Sequence, residues 1–104
     1  LTERFRKRFG YFMVHEAVEH AVCLDVLVQA IEIARSTLLD ALRKTLRDTR
    51  FEAGWTKTMT GGAVKFDRTG LNTLSVPVMV QWRNKELVTV WPGGVAKAKA
   101  VWKA

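Results

Sequence analysis

A long β-hairpin is the strongest structural signal in the sequence. Apolar residues recur at every second position between residues 76 and 82, and a β-branched and aromatic composition returns at residues 87 to 91. This period of two is typical of a strand with one buried face. The residues expected on the buried face are Val78, Val80 and Trp82, and those expected on the other face are Met79 and Gln81. Two paired strands are not stable alone in water, so the hairpin needs another layer to pack against.

A tight turn is predicted before the hairpin, at Asp67-Arg68-Thr69-Gly70. The Asp67 side chain can accept a hydrogen bond from the backbone two residues on, and Gly70 can take a positive φ without a steric clash. Gly61-Gly62 is interpreted as a bend into a short strand, because the lysine and helix of a phosphate-binding loop do not follow it.

Three helices are predicted in the first half of the chain. The first follows a Thr2 cap and stops at Gly10, the second covers about residues 16 to 35, and the third follows a cap at Ser36-Thr37. The second helix is apolar on more than one side, which is typical of a helix between two layers. Its most regular stripe, expected to be buried, is Ala17, Ala21, Leu24, Val28 and Ile31. The residues expected to face inward on the third helix are Leu38, Leu39, Leu42 and Leu46.

The composition indicates one small globular unit, because 48% of the 104 residues are hydrophobic. The net charge of +7 comes from 17 Lys and Arg against 10 Asp and Glu, and these residues are scattered along the chain. We interpret this charge as a solvated surface and predict no nucleic-acid partner. The single cysteine, Cys23, cannot form an internal disulfide and is interpreted as a small core residue. The four tryptophans are interpreted as packing residues rather than as an aromatic platform for a ligand.

The segment His15-Glu16-Ala17-Val18-Glu19-His20 invites comparison with a zinc-protease helix. Such a helix places two histidines four residues apart, whereas a spacing of five turns these two roughly 140° away from each other. We therefore predict no metal at His15, Glu16, Glu19 or His20. Glu16 and His20 are interpreted as a hydrogen-bonded pair one turn apart. No nucleophile elbow or Cys/His dyad is visible, so the prediction is a protein without enzymatic activity or cofactor.

Several motifs occur in an order similar to that of a known family. They are Phe51, the run Gly62-Ala63-Val64-Lys65-Phe66-Asp67-Arg68-Thr69-Gly70, then Val80-Gln81-Trp82, and Val88-Thr89-Val90-Trp91-Pro92. Further upstream the matching segments are Thr2 to Gly10, Leu24-Asp25-Val26 and Ala41-Leu42-Arg43. Over nearly its whole length the chain resembles the C-terminal portion of the substrate-binding proteins of branched-chain amino acid type ABC transporters, the type I periplasmic binding proteins. Asn84-Lys85 stands where an Asn-Gly type hairpin turn is expected.

The resemblance implies an α/β fold, of which this chain would be a C-terminal piece that is α+β if taken alone. Residues 1–70 would belong to the first lobe, residues 71–92 to a hairpin that crosses toward the second lobe, and residues 93–104 to the tail. The implied function is that of the solute-binding component of an importer. It would capture an amino-acid-like or small aromatic carboxylate ligand between two lobes and deliver it to a membrane permease. The implied location is periplasmic, or extracellular with a lipid anchor.

The resemblance also implies a place for the ligand, because the start of the second helix looks into the cleft of such proteins. The candidate ligand-binding residues are therefore His15, Ala17 and His20. The alternative interpretation is a free-standing basic α+β module that binds protein or nucleic acid. An upstream reading frame that encodes the other lobe would distinguish the two. Because the second helix and the hairpin present apolar faces that a parent protein would cover, the isolated chain is expected to form a homo-oligomer.

Overall fold

A computed structural model describes residues 1–102 as three helices followed by a two-stranded antiparallel sheet. The helices are α1 (Thr2–Phe9), α2 (His15–Ala34) and α3 (Leu39–Asp48), with a single 3-10 segment at Gly54–Thr58. The strands are β1 (Met79–Arg83) and β2 (Glu86–Trp91). This is the α+β arrangement expected for the chain taken alone. The last two residues of the predicted tail lie outside the described residues.

The helix ends follow from local chemistry. α1 stops at Gly10, which takes the left-handed conformation with φ 79°, and α2 stops at Arg35, which takes it with φ 48°. The predicted cap at Thr2 is wrong, because α1 already includes this residue and no side chain caps the helix. The predicted cap at Ser36-Thr37 is also wrong, because α3 begins at Leu39 without a side-chain cap. Ser36 instead closes a local turn before the helix, where its Oγ accepts from the Leu38 N–H at 3.1 Å.

The hydrophobic core lies between α2, α3 and the segment that follows α3. Its buried residues are Val22, Val26, Ala30, Phe51 and Val64, and the partly buried residues packed around them are Val18, Leu42, Leu46, Met59 and Phe66. Phe51 and Val64 form an antiparallel bridge in which each N–H donates to the other carbonyl at 2.8 Å. This bridge holds the predicted short strand against the helices.

The face of α2 that is buried differs from the predicted one. Within the predicted stripe, Leu24 is 65% exposed and Val28 is 45% exposed. The buried residues of α2 are instead Val22, Val26 and Ala30. Because α2 is apolar around most of its circumference, its periodicity cannot decide which face meets α3. The large ring of Phe51 and the leucines of α3 occupy the core, so small side chains of α2 face them.

Other predictions of burial are also wrong. Leu38 and Leu39 lie at the start of α3 and are exposed, and Cys23 is exposed on α2. The tryptophans, expected to pack in the core or between lobes, are all exposed, so none lies in the core of residues 1–102: Trp55, Trp82, Trp91 and Trp102. The rest of residues 1–102 covers these side chains only in part: the Phe12 ring packs against Trp82, which nevertheless remains 59% exposed.

The predicted hairpin forms, but β1 begins at Met79 rather than at Val76, and its expected buried face is open to solvent. β1 and β2 pair from Arg83↔Glu86 at the turn to Met79↔Trp91, with a bulge after Met79. Val80 is 49% exposed and Trp82 is 59% exposed, so the prediction that they are buried is wrong. No helix packs across β1 and β2 within residues 1–102. The hairpin therefore lacks the second layer that would cover these side chains.

The face of β1 that carries Gln81 is partly covered by the tail instead. The Gln81 side-chain amide donates to the Val101 carbonyl at 2.6 Å, and its oxygen accepts from the Val101 N–H at 3.1 Å. Arg83 donates to the Lys99 carbonyl nearby. Side chains of β1 thus form hydrogen bonds with the backbone of the tail, in place of the backbone partners that a neighbouring strand would supply.

The turn before the hairpin is confirmed. The Thr69 N–H donates to Asp67 Oδ1 at 2.8 Å, and Gly70 has φ 90°. The bend at Gly61 also has a clear cause, because a Cβ at this position would overlap the Leu74 carbonyl oxygen. Only glycine allows the two backbone segments to approach this closely.

The molecule is elongated, with principal extents of 55 × 31 × 17 Å and a radius of gyration of 16.7 Å. A compact chain of this length has a radius of gyration of about 13 Å. Within residues 1–102, none of the helices combines the length and the apolar composition that crossing a bilayer requires.

Candidate ligand-binding site

The start of α2, where the ligand was expected, carries two histidines that both contact Glu16. His15 Nδ1 lies 3.2 Å from Glu16 Oε2, and both side chains are exposed. His20 Nδ1 lies 2.7 Å from the Glu16 carbonyl oxygen. Because a carbonyl oxygen only accepts, this bond requires the proton on Nδ1 of His20. Glu16 and His20 therefore form a hydrogen-bonded pair as interpreted, but the partner atom is the backbone oxygen rather than the carboxylate.

This cluster has no arrangement suited to a metal. Among residues 1–102, no group of three or more His, Cys, Asp or Glu side chains converges on one point. The third predicted site residue, Ala17, is half-buried in the first turn, where its N–H donates to the Val14 carbonyl at 3.2 Å. The start of α2 therefore offers exposed imidazole and carboxylate groups to a ligand, but no enclosed pocket.

A crevice of about 360 Å³ lies next to this helix start, between the α1–α2 connection and the hairpin turn. We call it the hairpin crevice. The residues that give it chemical character are Glu3, Arg6, Tyr11, Phe12, Lys85 and Glu86. Arg6 Nη1 and Glu86 Oε1 form an ion pair at 3.1 Å across it. The Phe12 ring packs edge-on against Trp82 with ring centroids 5.8 Å apart, which joins the connection to β1.

The hairpin crevice combines groups that suit an amino acid. Arg6 and Lys85 can hold a carboxylate, whereas Glu3 and Glu86 can accept from an ammonium group. The guanidinium of Arg6 presents a fork of several N–H donors, so its ion pair with Glu86 leaves donors free for a ligand. The apolar walls formed by aromatic rings can pack against an aliphatic or aromatic side chain.

The predicted site residues and the hairpin crevice do not coincide. None of His15, Ala17 and His20 lines the crevice, whose wall ends at Met13, two residues before α2. Sequence reasoning missed Arg6 and Glu86, because these residues are separated by 80 positions and meet only when the hairpin turn reaches α1. The one local sign of this site in the sequence was the short apolar segment at residues 11 to 14, which connects α1 to α2.

Comparison of the chain with protein-family models, with curated proteins and with solved structures gives no match.

Proposed function

We propose that this chain is part of the solute-binding protein of an ABC importer. The protein captures an amino-acid-like or small aromatic carboxylate ligand between two lobes, in the periplasm or at the outer cell surface. It then delivers the ligand to a membrane permease. Binding alone accomplishes this task, without covalent chemistry or a cofactor.

The observation that carries the proposal is the uncovered apolar surface on α2 and on the hairpin. Leu24 of α2 and Trp82 of β1 are both more than half exposed, in a molecule whose radius of gyration is 16.7 Å. Monomeric proteins rarely leave large apolar patches in water, so such faces mark sites of contact. A binding protein with two lobes supplies a sheet beneath α2 and a second lobe beyond the hairpin.

The arrangement of the motif-bearing segments supports the same proposal. The bridge between Phe51 and Val64 leads into the turn at Asp67, and the hairpin follows within the same continuous stretch. These are the segments whose sequence resembles the family. The hairpin also reaches back to α1, which brings its turn beside the start of α2.

We place the ligand in the hairpin crevice, with its carboxylate on Arg6 and its side chain against Tyr11 and Phe12. The ligand ammonium group pairs with Glu86. His15, Ala17 and His20, which do not line the crevice, would face the other lobe across the cleft. This placement joins the residues expected from sequence with those found in the crevice.

The proposal is tested by measuring ligand binding to the complete natural protein. Thermal unfolding is recorded with leucine, valine, phenylalanine and benzoate, and with isoamylamine, which lacks a carboxylate, as the control. A ligand present at 100 times its dissociation constant raises the free energy of unfolding by about 2.7 kcal/mol. We expect stabilisation by at least one of the carboxylates and none by the amine. If no carboxylate stabilises the protein, the proposal is wrong.

The role of Arg6 is tested by calorimetric titration of the Arg6→Ala protein with the ligand identified in this way. Loss of a charged hydrogen bond costs about 1.5–3 kcal/mol, which weakens binding by roughly 10- to 100-fold. The matched control is Arg43→Ala, which removes an exposed arginine of α3 outside the crevice. Equal affinities of the two variants would contradict the placement of the carboxylate.

A further inference from the structure

A second groove, of about 590 Å³, runs along α1 and is completed by Trp55 of the 3-10 segment. We call it the α1 groove. We propose that it binds an acidic peptide segment of a partner protein, with carboxylates at alternate positions beside a large apolar side chain. This inference does not depend on the proposed transport function, because it concerns a different set of residues.

The charge of the α1 groove is entirely positive. Arg4, Lys7 and Arg8 line it, and no carboxylate does. Within residues 1–102 none of these cations forms an ion pair, whereas Arg6 pairs with Glu86 at the hairpin crevice. An anionic partner would therefore meet cations that are not already neutralised, which favours both its encounter rate and its specificity.

The spacing of two of these cations fits an extended chain. Arg4 and Arg8 are one helical turn apart, which separates their backbone positions by about 6 Å along the axis. Side chains on one face of an extended peptide repeat every two residues, or about 6.7 Å. Two carboxylates at alternate positions of a peptide can therefore each meet one arginine.

The apolar part of the α1 groove is provided by Phe5, Phe9 and Leu1 together with the Trp55 ring. The Phe5 and Phe9 rings pack at 4.6 Å between centroids, so α1 presents a continuous aromatic surface. Trp55 is 43% exposed, which leaves much of the ring free for a partner. A large apolar side chain beside the carboxylates would be buried here.

Trp55 is held in position although it is exposed. Its backbone N–H donates to Asp25 Oδ2 at 2.7 Å, and Gln29 Nε2 donates to the same oxygen at 3.0 Å. The preceding Gly54 lies so close that a Cβ there would be 2.5 Å from Asp25 Oδ2. Because α2 fixes the backbone of Trp55 in this way, less conformational freedom is lost on binding.

The shape of the α1 groove favours a peptide over a nucleic acid or an enclosed small molecule. The Phe5 and Phe9 rings that line it are inclined to each other at 46°. They therefore offer no series of parallel faces on which successive bases could stack. The groove is also open to solvent, whereas small-molecule sites bury most of their ligand.

The test is fluorescence anisotropy of the complete natural protein with the labelled peptide Phe-Glu-Ser-Glu-Ser. Three competitors are compared: the same peptide with glutamine for both glutamates, a peptide with the two glutamates adjacent, and a single-stranded oligouridylate. We expect the alternating peptide to bind at least about tenfold more tightly than the glutamine peptide, a difference of about 1.4 kcal/mol. Tighter binding of the oligouridylate, or equal binding of all three peptides, would overturn the proposal.

Matched variants locate the binding site. Arg4→Glu with Arg8→Glu is compared with Arg43→Glu and Arg47→Glu on α3, a pair with the same spacing and the same change of charge. The first pair should weaken peptide binding at least about tenfold and the second less than about twofold. Equal losses would mean that only the net charge matters, and the proposal would be wrong.

Aromatic variants and a milder charge variant complete the test. Trp55→Ala should weaken binding of the alternating peptide, whereas Trp102→Ala, which alters a tryptophan that is 85% exposed and outside the groove, should not. Circular dichroism establishes that each protein is folded. If the charge-reversal pair does not fold, Arg4→Gln with Arg8→Gln decides, and unchanged affinity in that protein contradicts the proposal.

Discussion

The Asp67 carboxylate organises the turn that leads into the hairpin. Its Oδ1 accepts from the Thr69 hydroxyl at 2.6 Å, from the Thr69 N–H at 2.8 Å and from the Leu71 N–H at 3.1 Å. Hydrogen bonds to an ionised carboxylate favour the ionised form. The Thr69 hydroxyl first, and its N–H second, therefore hold the pKa of Asp67 below the ordinary value of 3.8.

Replacement of Thr69 by valine should raise the pKa of Asp67 toward 3.8, because it removes the hydroxyl but keeps the shape of the side chain. The measurement is an NMR titration of the Asp67 carboxyl carbon. The control is Thr58→Val, which removes a hydroxyl bonded to the Trp55 carbonyl. An unchanged Asp67 pKa in the Thr69→Val protein would show that the hydroxyl does not act in this way.

The same substitution should change the response of the protein to acid. A carboxylate with a lowered folded-state pKa contributes stability that is present above its unfolded pKa of about 4 and is lost as the pH falls through the folded value. The Thr69→Val protein should therefore lose less of its stability than the parent when the pH falls below about 4. Thermal unfolding at a series of pH values measures this difference.

The hairpin turn needs positive φ at two residues, and the second of them is a lysine where glycine is usual. Asn84 and Lys85 both take positive φ, at 48° and 66°, as a two-residue turn of the primed type requires. Asparagine tolerates positive φ and glycine adopts it without strain, whereas a lysine with positive φ is strained. The prediction that Asn84-Lys85 forms the turn is confirmed, and the strain falls on Lys85.

Lys85→Gly should stabilise the hairpin by roughly 0.5–1 kcal/mol, because relief of the strain exceeds the added entropy of the unfolded chain. Lys85→Val should destabilise it by about 1 kcal/mol, since a β-branched residue is least tolerant of positive φ. Hydrogen exchange of the Gln81 and Val88 amides, which form a hydrogen-bonded pair of the hairpin, reports on both changes in the ligand-free protein. Slower exchange in the valine protein than in the glycine protein would refute this account.

The molecule as a whole has one small core and large uncovered faces. The core joins α2 to α3 and to the bridge at Phe51, whereas the hairpin lies outside it. α2 presents Leu24 to solvent on the side away from the buried Val22 and Val26, and β1 presents Val80 and Trp82. Contact of these faces with a second copy or with the rest of a larger protein would remove them from water.

The isolated 104-residue chain should therefore associate into dimers or higher oligomers. Sedimentation at micromolar concentration measures this, and a folded, well-dispersed monomer would contradict the prediction. Leu24→Glu should reduce association because it places a charge on the outer face of α2. Leu71→Glu is the control, since Leu71 is 66% exposed, nearly the same as Leu24 at 65%, but lies in the turn region. Equal effects of the two substitutions would exclude the α2 face as the contact.

Local features of the fold could be predicted from sequence because they depend on neighbouring residues. The end of α1 at Gly10, the turn at Asp67 and the hairpin turn at Asn84 each require only a glycine, an aspartate or an asparagine at the right position. The existence of α2 and its approximate bounds, predicted as residues 16 to 35, also follow from its long apolar segment. The candidate ligand-binding residues His15, Ala17 and His20 remain a prediction, and none of them lines the hairpin crevice.

The sequence by itself thus determined the order and approximate extents of the three helices and the positions of the two turns, since hydrogen bonds within a few residues decide these. Only the tertiary structure decided which face of α2 is buried. Because α2 is apolar around most of its circumference, its orientation depends on the residues of α3 and on Phe51, which pack against it. The contact of Arg6 with Glu86 and that of Asp25 with Trp55 likewise join groups 80 and 30 positions apart. No pattern of spacing along the chain encodes such contacts, because they form only after separately specified elements pack together.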